Sequence, residues 1–226
     1  KDGTGDWHHE LCKRAFQKYV DVGWPGVKNE SWKYTNLNKL GSHSFSIAKD
    51  HSTAIPEDMI IPLDCPRLVL VNGVFNSELS NQKLLNDGLT LTLLANVNDY
   101  QKTFFDNLGS GKEIKDELPL ASLNTAMFSD ALVLELAEGI ELSSPIHIIS
   151  IGSGCQITFA PRILVNVGKG GKLDVIESHV GDSSGMYFSN SVVQFNLQDD
   201  AKVGHYKLQN ESKESFHISL TKVLIK

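Results

Sequence analysis

The sequence predicts a mainly β protein with some α-helix, in which a β-solenoid over residues 131–226 follows a helical and mixed N-terminal domain over residues 1–130. Two observations predict this fold. Helical periodicity is found before residue 131 and is absent after it, where β-type segments follow one another at regular spacing. The second part also repeats itself after 31 and then 30 residues, and a period of about 20–50 residues is typical of stacked repeats.

The repeat has three copies, each made of an apolar residue, a polar or Gly-rich turn, a small or apolar residue, a charged residue and another apolar residue. The copies are 136–142, 167–173 and 197–203. The strands predicted after them are 146–150, 173–178 and 203–208, and a fourth coil begins over 216–223. Because no helix falls inside the repeat, we predict that successive coils stack their Leu, Val and Ile positions. An antiparallel β-sandwich with accidental spacing is the alternative.

The N-terminal region is predicted to begin with a helix over 6–22. Its apolar residues recur every fourth position and share one face: Trp7, Leu11, Ala15 and Tyr19. Gly23 and Pro25 end the pattern. The polar stretch 29–66, punctuated by prolines, is predicted to be irregular with short segments.

The rest of this region is predicted to contain a hairpin, a strand and two helices. Asn72-Gly73 is the favoured two-residue turn of a hairpin over 67–75, because both central positions need a positive φ. Residues 89–93 alternate with period two and predict a strand. Helices are predicted over 98–108 and 119–129, and Pro119 suits the first turn of the second.

Composition excludes several classes of protein. The chain of 226 residues is 41% hydrophobic and 21% charged, which excludes a mostly disordered chain. A net charge of −6 gives no global basic footprint for nucleic acid. The longest apolar runs, such as 68–71 and 148–151, are far shorter than the roughly 20 residues of a membrane span. The chain starts without Met and ends in an apolar run over 223–226, so we expect it to be a piece of a longer protein.

Cysteine usage indicates a reducing compartment. Cys12, Cys65 and Cys155 are far apart and form no C-x-x-C pair, so the sequence encodes neither a zinc ribbon nor a dithiol redox site locally. We therefore expect free thiols and a cytoplasmic location.

Three glycine-containing motifs resemble catalytic signatures but lack their context. The segment 109–112 (GSGK) has Asp106 and Glu113 where a Walker motif needs Gly and Ser or Thr. The segment 181–185 (GDSSG) leads into a strand, whereas a nucleophile elbow leads into a helix. The segment 168–171 (GKGG) opens no helix and sits at the corner of the repeat. All three are predicted to be turns or loops.

The histidines do not form a predicted site. His8 and His9 are adjacent on a helix and point about 100° apart. In the repeat alignment His205 matches Val175 and His179 matches Gln209, and His217 follows in the last coil, so no ladder of histidines is predicted. Structural or surface histidines are favoured, and a metal or persulfide contact is the alternative. The sequence thus predicts no catalytic, cofactor-binding or metal-binding residue.

Several segments resemble one known family. Residues 30–37 (ESWKYTNL) resemble the E-x-W-K-Y-T-x-L segment near the N-terminus of the SufD branch of the SufB/SufD family, the scaffolds of bacterial and plastid iron–sulfur cluster assembly. Further matching segments follow in the same order: 70–75, 79–80, 123–126, 145–146, 161–165, 175–177, Asn190, 205–209 and 216–218. The resemblance spans about residues 7–226.

The resemblance implies a right-handed parallel β-helix after a helical and mixed domain. It also implies a non-catalytic scaffold subunit in a SufBCD complex, with a SufB-like subunit and the SufC-like ATPase as partners and no nucleic acid or membrane partner. In the family, SufC docks on a C-terminal helical segment and SufB pairs through the later β-helix. The proposed cluster ligands, a Cys in SufB and a His in SufD, also lie late. None of these residues maps onto this chain, so we expect no cofactor bound by this fragment, about 200 further residues and the main partner contacts there. A homodimer of this protein is also compatible with the resemblance.

A carbohydrate-active β-helix enzyme is the alternative from another class. Such enzymes place carboxylates and basic residues on one solenoid face, and Asp174, Glu177 and Lys207 are the candidates. The repeat aligns Glu177 with Lys207, which predicts one Glu–Lys pair between neighbouring coils. A solvated surface pair accounts for that spacing equally well.

Overall fold

A computed structural model describes residues 5–26, 29–51, 53, 60–81, 88–106, 119–181 and 185–226. The loop over 109–112 and residues 182–184 of the GDSSG segment lie outside the described residues. The α-helices are α1 (Gly5–Val22), α2 (Asn38–Gly41), α3 (Asp99–Asp106) and α4 (Pro119–Met127). None of the helices in these ranges is both long and apolar enough to cross a lipid bilayer.

The helix ends follow the sequence signals. Leu11 and Ala15 of α1 are buried, as the four-residue periodicity predicts. Gly23 ends α1 with a φ of +81°, and its N–H donates to the carbonyl of Tyr19 at 2.8 Å. Helix α4 begins at Pro119, as predicted.

Twelve strands make up the rest of the described fold. They are β1 (Ser46–Ile47), β2 (Arg67–Val71), β3 (Val74–Phe75), β4 (Leu89–Leu93), β5 (Leu132–Leu136), β6 (Ile146–Gly152), β7 (Ile157–Phe159), β8 (Arg162–Val167), β9 (Lys172–Gly181), β10 (Tyr187–Leu197), β11 (Lys202–Asn210) and β12 (Phe216–Ile225). Sheet A has the order β1-β7-β10-β8-β5-β4, with β12 also paired to β10, and sheet B has the order β11-β9-β6-β2-β3. The pairs among β5–β12 are parallel. The chain is therefore a parallel β-solenoid of about three turns, and the antiparallel sandwich is wrong.

The register confirms the repeat. Leu136 pairs with Val167, and Val167 pairs with Leu197, which are the first residues of the three copies. The corners stack as well, because the N–H of Gly139 donates to the carbonyl of Lys169 at 2.9 Å. Each coil thus adds one parallel strand to each sheet.

The same corner position has a left-handed backbone in every copy. Its residues are Gly139, Gly170 and Asp200, with φ angles of +70°, +66° and +60°. Glycine adopts this conformation without the Cβ clash that other residues suffer, and Asp tolerates it better than most. This shared geometry explains why the turns between sheets A and B are short.

Strands that precede residue 131 belong to the same two sheets. The hairpin over 67–75 has the predicted turn, with φ angles of +47° at Asn72 and +81° at Gly73. Its first strand, β2, pairs in parallel with β6. Strand β4 pairs antiparallel with β5. The domain boundary after residue 130 stays a prediction, but backbone hydrogen bonding crosses it in both sheets.

Two apolar layers fix this arrangement. The space between sheets A and B, which we call the lumen, is filled at one end by side chains of every coil. Examples are Leu68, Leu134, Ile148, Val165, Val175 and Phe195, all at most 1% exposed. The outer face of sheet A is covered by the helices and by Phe128, the residue after α4. Leu11, Phe105 and Phe128 pack there with Val133 and Leu164. Burial of each such side chain contributes about 1.5–3 kcal/mol.

Candidate functional site

The lumen changes from apolar to polar along the strands. Side chains that alternate along a strand share a face, so the inward set of β9 runs from Leu173 and Val175 to Glu177 and His179. The neighbouring strands continue the change. Ser150 of β6 pairs with His179, and Lys207 of β11 pairs with Glu177. A cluster of ionisable groups therefore lies inside the solenoid.

Glu177 is the centre of this cluster. It is 1% exposed, and its two carboxylate oxygens accept hydrogen bonds from Nε2 of His179 at 2.6 Å and Nε2 of His205 at 2.9 Å. The ammonium group of Lys207 lies 3.5 Å from Oε1. Burial alone would raise the pKa of Glu177, but these hydrogen bonds and charges outweigh burial and hold its pKa well below the usual range. Glu177 is therefore an ionised, acceptor-only group.

This carboxylate fixes the tautomer of His179. Because an ionised carboxylate only accepts, Nε2 of His179 must carry the proton that it donates. Burial lowers the pKa of His179 in spite of the attraction to Glu177, so the ring is neutral near pH 7. Its Nδ1 then carries an unprotonated lone pair, and no residue in the described ranges hydrogen-bonds to it.

A second buried carboxylate, Glu211, lies at the same end. It accepts hydrogen bonds from the hydroxyl of Tyr187 at 3.1 Å and from Nε2 of Gln209 at 3.0 Å. Nδ1 of His217 lies 3.0 Å from Glu211 Oε2, an ion-pair distance without the angles of a hydrogen bond. Burial would raise the pKa of Glu211, but the contacts with His217, together with His179 and the hydrogen bond from Tyr187, outweigh burial and lower it. The rings of His179 and His217 are 4.3 Å apart, so the two carboxylate–histidine pairs meet.

Tyr187 fills the end of the lumen beyond these pairs. It is fully buried, and it lies against Gly152 and Gly181, which are register partners in sheet B. A Cβ at Gly152 would lie 2.5 Å from the Tyr187 ring, and a Cβ at Gly181 would clash with its hydroxyl. Burial, followed by the charge of Glu211, raises the pKa of Tyr187, so its hydroxyl remains a donor.

Sequence reasoning found the pairing of this cluster but not its location. Glu177 pairs with Lys207, as the repeat alignment predicts. The interpretation as a solvated surface pair is wrong, because position 177 faces the lumen. Asp174 lies on the opposite face of β9 from Glu177, so the carbohydrate-active alternative loses its pair of carboxylates.

The histidines occupy different registers, as predicted, yet three of them meet. His205 pairs with Val175 and His179 pairs with Gln209. His217 reaches His179 across the lumen rather than along a sheet. A repeat alignment compares positions within one sheet, so it does not show contacts between the two sheets. The sequence signal for this cluster was that residues 177, 179, 205 and 217 each fall at alternating strand positions that face the lumen.

The remaining candidates lie elsewhere. His8 contacts Sγ of Cys12 at 3.3 Å and the carbonyl of Phe128, whereas His9 is exposed. Burial raises the pKa of Cys12 to about 11, so its thiol is protonated and unreactive. Cys65 is buried and Cys155 is exposed, and both are free. Within the described residues, no three His, Cys, Asp or Glu side chains are arranged to hold a metal ion.

Residues of the recognised motifs form a buried polar network between α4 and sheet A. The amide of Asn124 donates to the carbonyls of Pro161 and Asn190, and Asn190 donates to the carbonyl of Leu120 at 2.8 Å. The guanidinium of Arg162, fully buried, donates to Asn124 Oδ1 at 3.1 Å. This guanidinium lies over the rings of Phe105 and Phe128, each 5.8 Å away. The network attaches the helices to the solenoid.

Comparison with known families agrees with this fold. The family model described as "SufBD protein N-terminal region" matches residues 5–148, and that described as "SUF system FeS cluster assembly, SufBD core domain" matches residues 149–226. The two matches are contiguous and follow the order of the helical region and the solenoid. The chain belongs to the SufBD family of iron–sulfur cluster assembly proteins.

Three curated relatives are similar over most of the chain. The iron–sulfur cluster assembly SufBD family protein slr0076 of Synechocystis is 31% identical over 88% of this chain and 47% of its own length. Protein ABCI7, chloroplastic, of Arabidopsis thaliana is 26% identical over 89% of this chain and 44% of its own length. The iron–sulfur cluster assembly protein SufD of Escherichia coli is 26% identical over 97% of this chain and 52% of its own length. The chain thus spans about half the length of these relatives.

Proposed function

We propose that this chain is part of a SufD-like, non-catalytic scaffold subunit that works with a SufB-like subunit and a SufC-like ATPase to assemble iron–sulfur clusters. The observation that carries this proposal is the pair of contiguous family matches over residues 5–226, one of which is described by its role in cluster assembly. The similarity to a protein named SufD over 97% of this chain favours the SufD branch.

The fold supports a structural role. Parallel strands in register hold each coil rigidly relative to the next, so the solenoid fixes the position of whatever is attached to its ends. In this proposal the scaffold places a SufB-like partner, and ATP hydrolysis belongs to the SufC-like subunit.

The cluster is the product of the complex in this proposal, and iron and sulfide are its substrates. The proposed scaffold role itself requires no resident cofactor in this chain. The proposed location is the cytoplasm, with a plastid counterpart compatible with the relative named as chloroplastic. A homodimer is the proposed state of the subunit in the absence of its SufB-like partner.

Reconstitution tests the proposal. The full-length protein is coexpressed with the SufB-like and SufC-like subunits of the same organism, and one tagged subunit is purified. We expect a stable complex of all three, in which a substitution in the nucleotide site of the SufC-like subunit abolishes ATP hydrolysis. The proposal is wrong if the SufB-like and SufC-like subunits associate under these conditions without this protein and exclude it when it is present.

A further inference from the structure

Several buried side chains that face the lumen have polar atoms without partners, and four of these side chains form two register pairs. Ser150 and His179 are register partners in sheet B, and Ser189 and His217 are register partners in sheet A. All four face the lumen, and contact between the two histidine rings brings the pairs together. Their exposed fractions are 3%, 1% and 1% for Ser150, His179 and Ser189, and 6% for the side chain of His217.

The unpartnered atoms indicate that a polar atom, from water or from a ligand, binds next to these side chains. Within the described part of the chain, no hydrogen-bond partner is found for Oγ of Ser150, Nδ1 of His179, Oγ of Ser189 or Nε2 of His217. Each buried polar atom left unpaired costs about 1–3 kcal/mol. Native folds pair nearly all such atoms, with water or an ion where no protein group is at hand, so this end of the lumen offers a water molecule or an ion four polar atoms to bind.

The chemistry of the two histidines indicates which ligand. A metal-binding histidine usually donates its second ring N–H to a carboxylate, which fixes the tautomer and the orientation of the ring. His179 does this with Glu177 at 2.6 Å, and His217 lies 3.0 Å from Glu211. In His179 the other nitrogen, Nδ1, has no partner. In His217 neither nitrogen makes a hydrogen bond, and Nε2 is the one farther along the ring from Glu211. The two carboxylates make the site unfavourable for an anion and favourable for a cation.

We propose that His179 and His217 bind a divalent transition metal ion inside the lumen, with the hydroxyls of Ser150 and Ser189 or water completing its coordination. Imidazole ligands favour iron, zinc or cobalt over magnesium and calcium. A metal–nitrogen bond is about 2.0–2.1 Å long, so ring centres 4.3 Å apart are close enough for one ion to bind both rings when their unpartnered nitrogens face the same point. The proposed ligands are two histidines and hydroxyl groups, so the site differs from one built of three His, Cys, Asp or Glu side chains. The proposal of a metal site does not depend on the SufB-like and SufC-like partners.

Cobalt binding tests the site directly. The full-length protein, stripped with a chelator and kept reduced, is titrated with Co²⁺ by calorimetry and visible absorption. We expect one equivalent with ligand-field bands typical of nitrogen coordination. His179→Gln and His217→Gln should each weaken binding at least about tenfold, the loss expected when a ligand or its support is removed. His9→Gln is the matched control, because it removes an exposed imidazole of α1 and leaves both proposed ligands and their carboxylates unchanged.

Three results would overturn the site. The first is that wild-type protein binds no Co²⁺ with ligand-field bands. The second is that the double variant His179→Gln/His217→Gln binds Co²⁺ like the His9→Gln control. The third is a crystal structure of the cobalt-soaked protein with water alone between the two rings. Thermal melts show whether a variant is folded. If one of the two single variants fails to fold, Co²⁺ binding by the other single variant tests the site. Because these measurements use the isolated protein, failure of complex formation leaves them unaffected.

Discussion

At the scale of single residues, the end of the lumen that Tyr187 fills depends on two glycines that leave room for its side chain. Tyr187 is completely buried although it is among the largest side chains in the core. It fits because neither Gly152 nor Gly181 has a side chain. The requirement arises from contact across the lumen, so it differs from the backbone requirement that selects glycine at the corners.

Gly152→Ala should therefore destabilise the fold. The new Cβ would lie 2.5–2.9 Å from three atoms of the Tyr187 ring, and overpacking of this kind costs about 1–3 kcal/mol. Urea denaturation measures the loss. Gly26→Ala is the control, because nothing lies within 4 Å of its Cβ position. In a Tyr187→Leu background, Gly152→Ala should lower the free energy of unfolding by less than it does in the wild type. An equal loss in both backgrounds would show that the Tyr187 ring does not clash with the new Cβ.

His147 should make stability depend on pH. It faces outward from β6, pairs in register with Arg67 and contacts the hydroxyl of Ser178 at 2.8 Å. Burial, followed by the charge of Arg67, lowers its pKa in the folded state. The unfolded chain then binds more protons, so the contribution of His147 is complete above its ordinary pKa of about 6.5 and is lost as pH falls below it.

Denaturation at several pH values tests this sign. Between pH 7 and pH 5 the free energy of unfolding of the wild type should fall more steeply than that of His147→Gln. Asn38→Ala provides the control, since it changes an exposed residue without a titratable group and should keep the wild-type slope. Parallel curves for the wild type and His147→Gln would contradict the expectation.

At the scale of elements, the corner of the repeat and the docking of α4 decide how coils and helices join. The third corner carries Asp200 at a φ of +60°, where the first two carry Gly139 and Gly170. A left-handed backbone costs a residue with a Cβ about 1–2 kcal/mol, and somewhat less for Asp. The third corner is thus the least favourable of the three by backbone conformation.

Asp200→Gly should stabilise the protein by about 0.5–1 kcal/mol, because glycine removes that strain. Asp200→Val should destabilise it, since a β-branched residue disfavours this conformation most. Gly170→Asp is the reciprocal control and should reproduce the strain at the second corner. Chemical denaturation measures all three, and a loss of stability in Asp200→Gly would show that the Asp side chain stabilises the corner by other means.

Asn124→Ala should loosen the attachment of α4 to sheet A. The change leaves the carbonyls of Pro161 and Asn190 and one N–H of Arg162 without this partner. The carbonyl of Pro161 keeps its hydrogen bond from the N–H of Val192. Each buried group that is left unpaired costs about 1–3 kcal/mol, so we expect a loss of about 1–3 kcal/mol. Hydrogen exchange should increase in α4 before it increases in β9. Asn38→Ala, at an exposed position, should change stability by no more than about 0.5 kcal/mol.

The sequence was informative where the signal is local or periodic. The period of the repeat, the Asn72-Gly73 turn and the helix that begins at Pro119 could each be predicted within one short segment. The pairing of β2 with β6 could not, because the register partners Arg67 and His147 are 80 residues apart and no repeat relates them. The buried site also escaped prediction, since the partners His179 and His217 meet across the lumen and not along a sheet.

At the scale of the whole molecule, the two sheets make the N-terminal region and the solenoid one hydrogen-bonded body. Sheet B contains β2 from the first region between β3 and β6, and sheet A continues from β5 to β4. The helices cover the outer face of sheet A, where Val133 and Leu164 are fully buried. Removing the first 130 residues would therefore expose both a sheet edge and an apolar face.

Residues 131–226 expressed alone should lack a cooperative thermal transition and should bind a hydrophobic dye. The fragment loses β2 and β4 as strand partners. It also exposes apolar side chains such as Val133 and Leu164, which pack against Phe128 in the intact chain. Burial of each such side chain contributes about 1.5–3 kcal/mol. Circular dichroism of the fragment, of residues 1–130 and of their mixture provides the comparison, with the intact chain as control. The mixture should regain part of the transition. If the fragment melts cooperatively at the temperature of the intact chain, the pairing across residue 130 contributes little, and the two regions are independent domains.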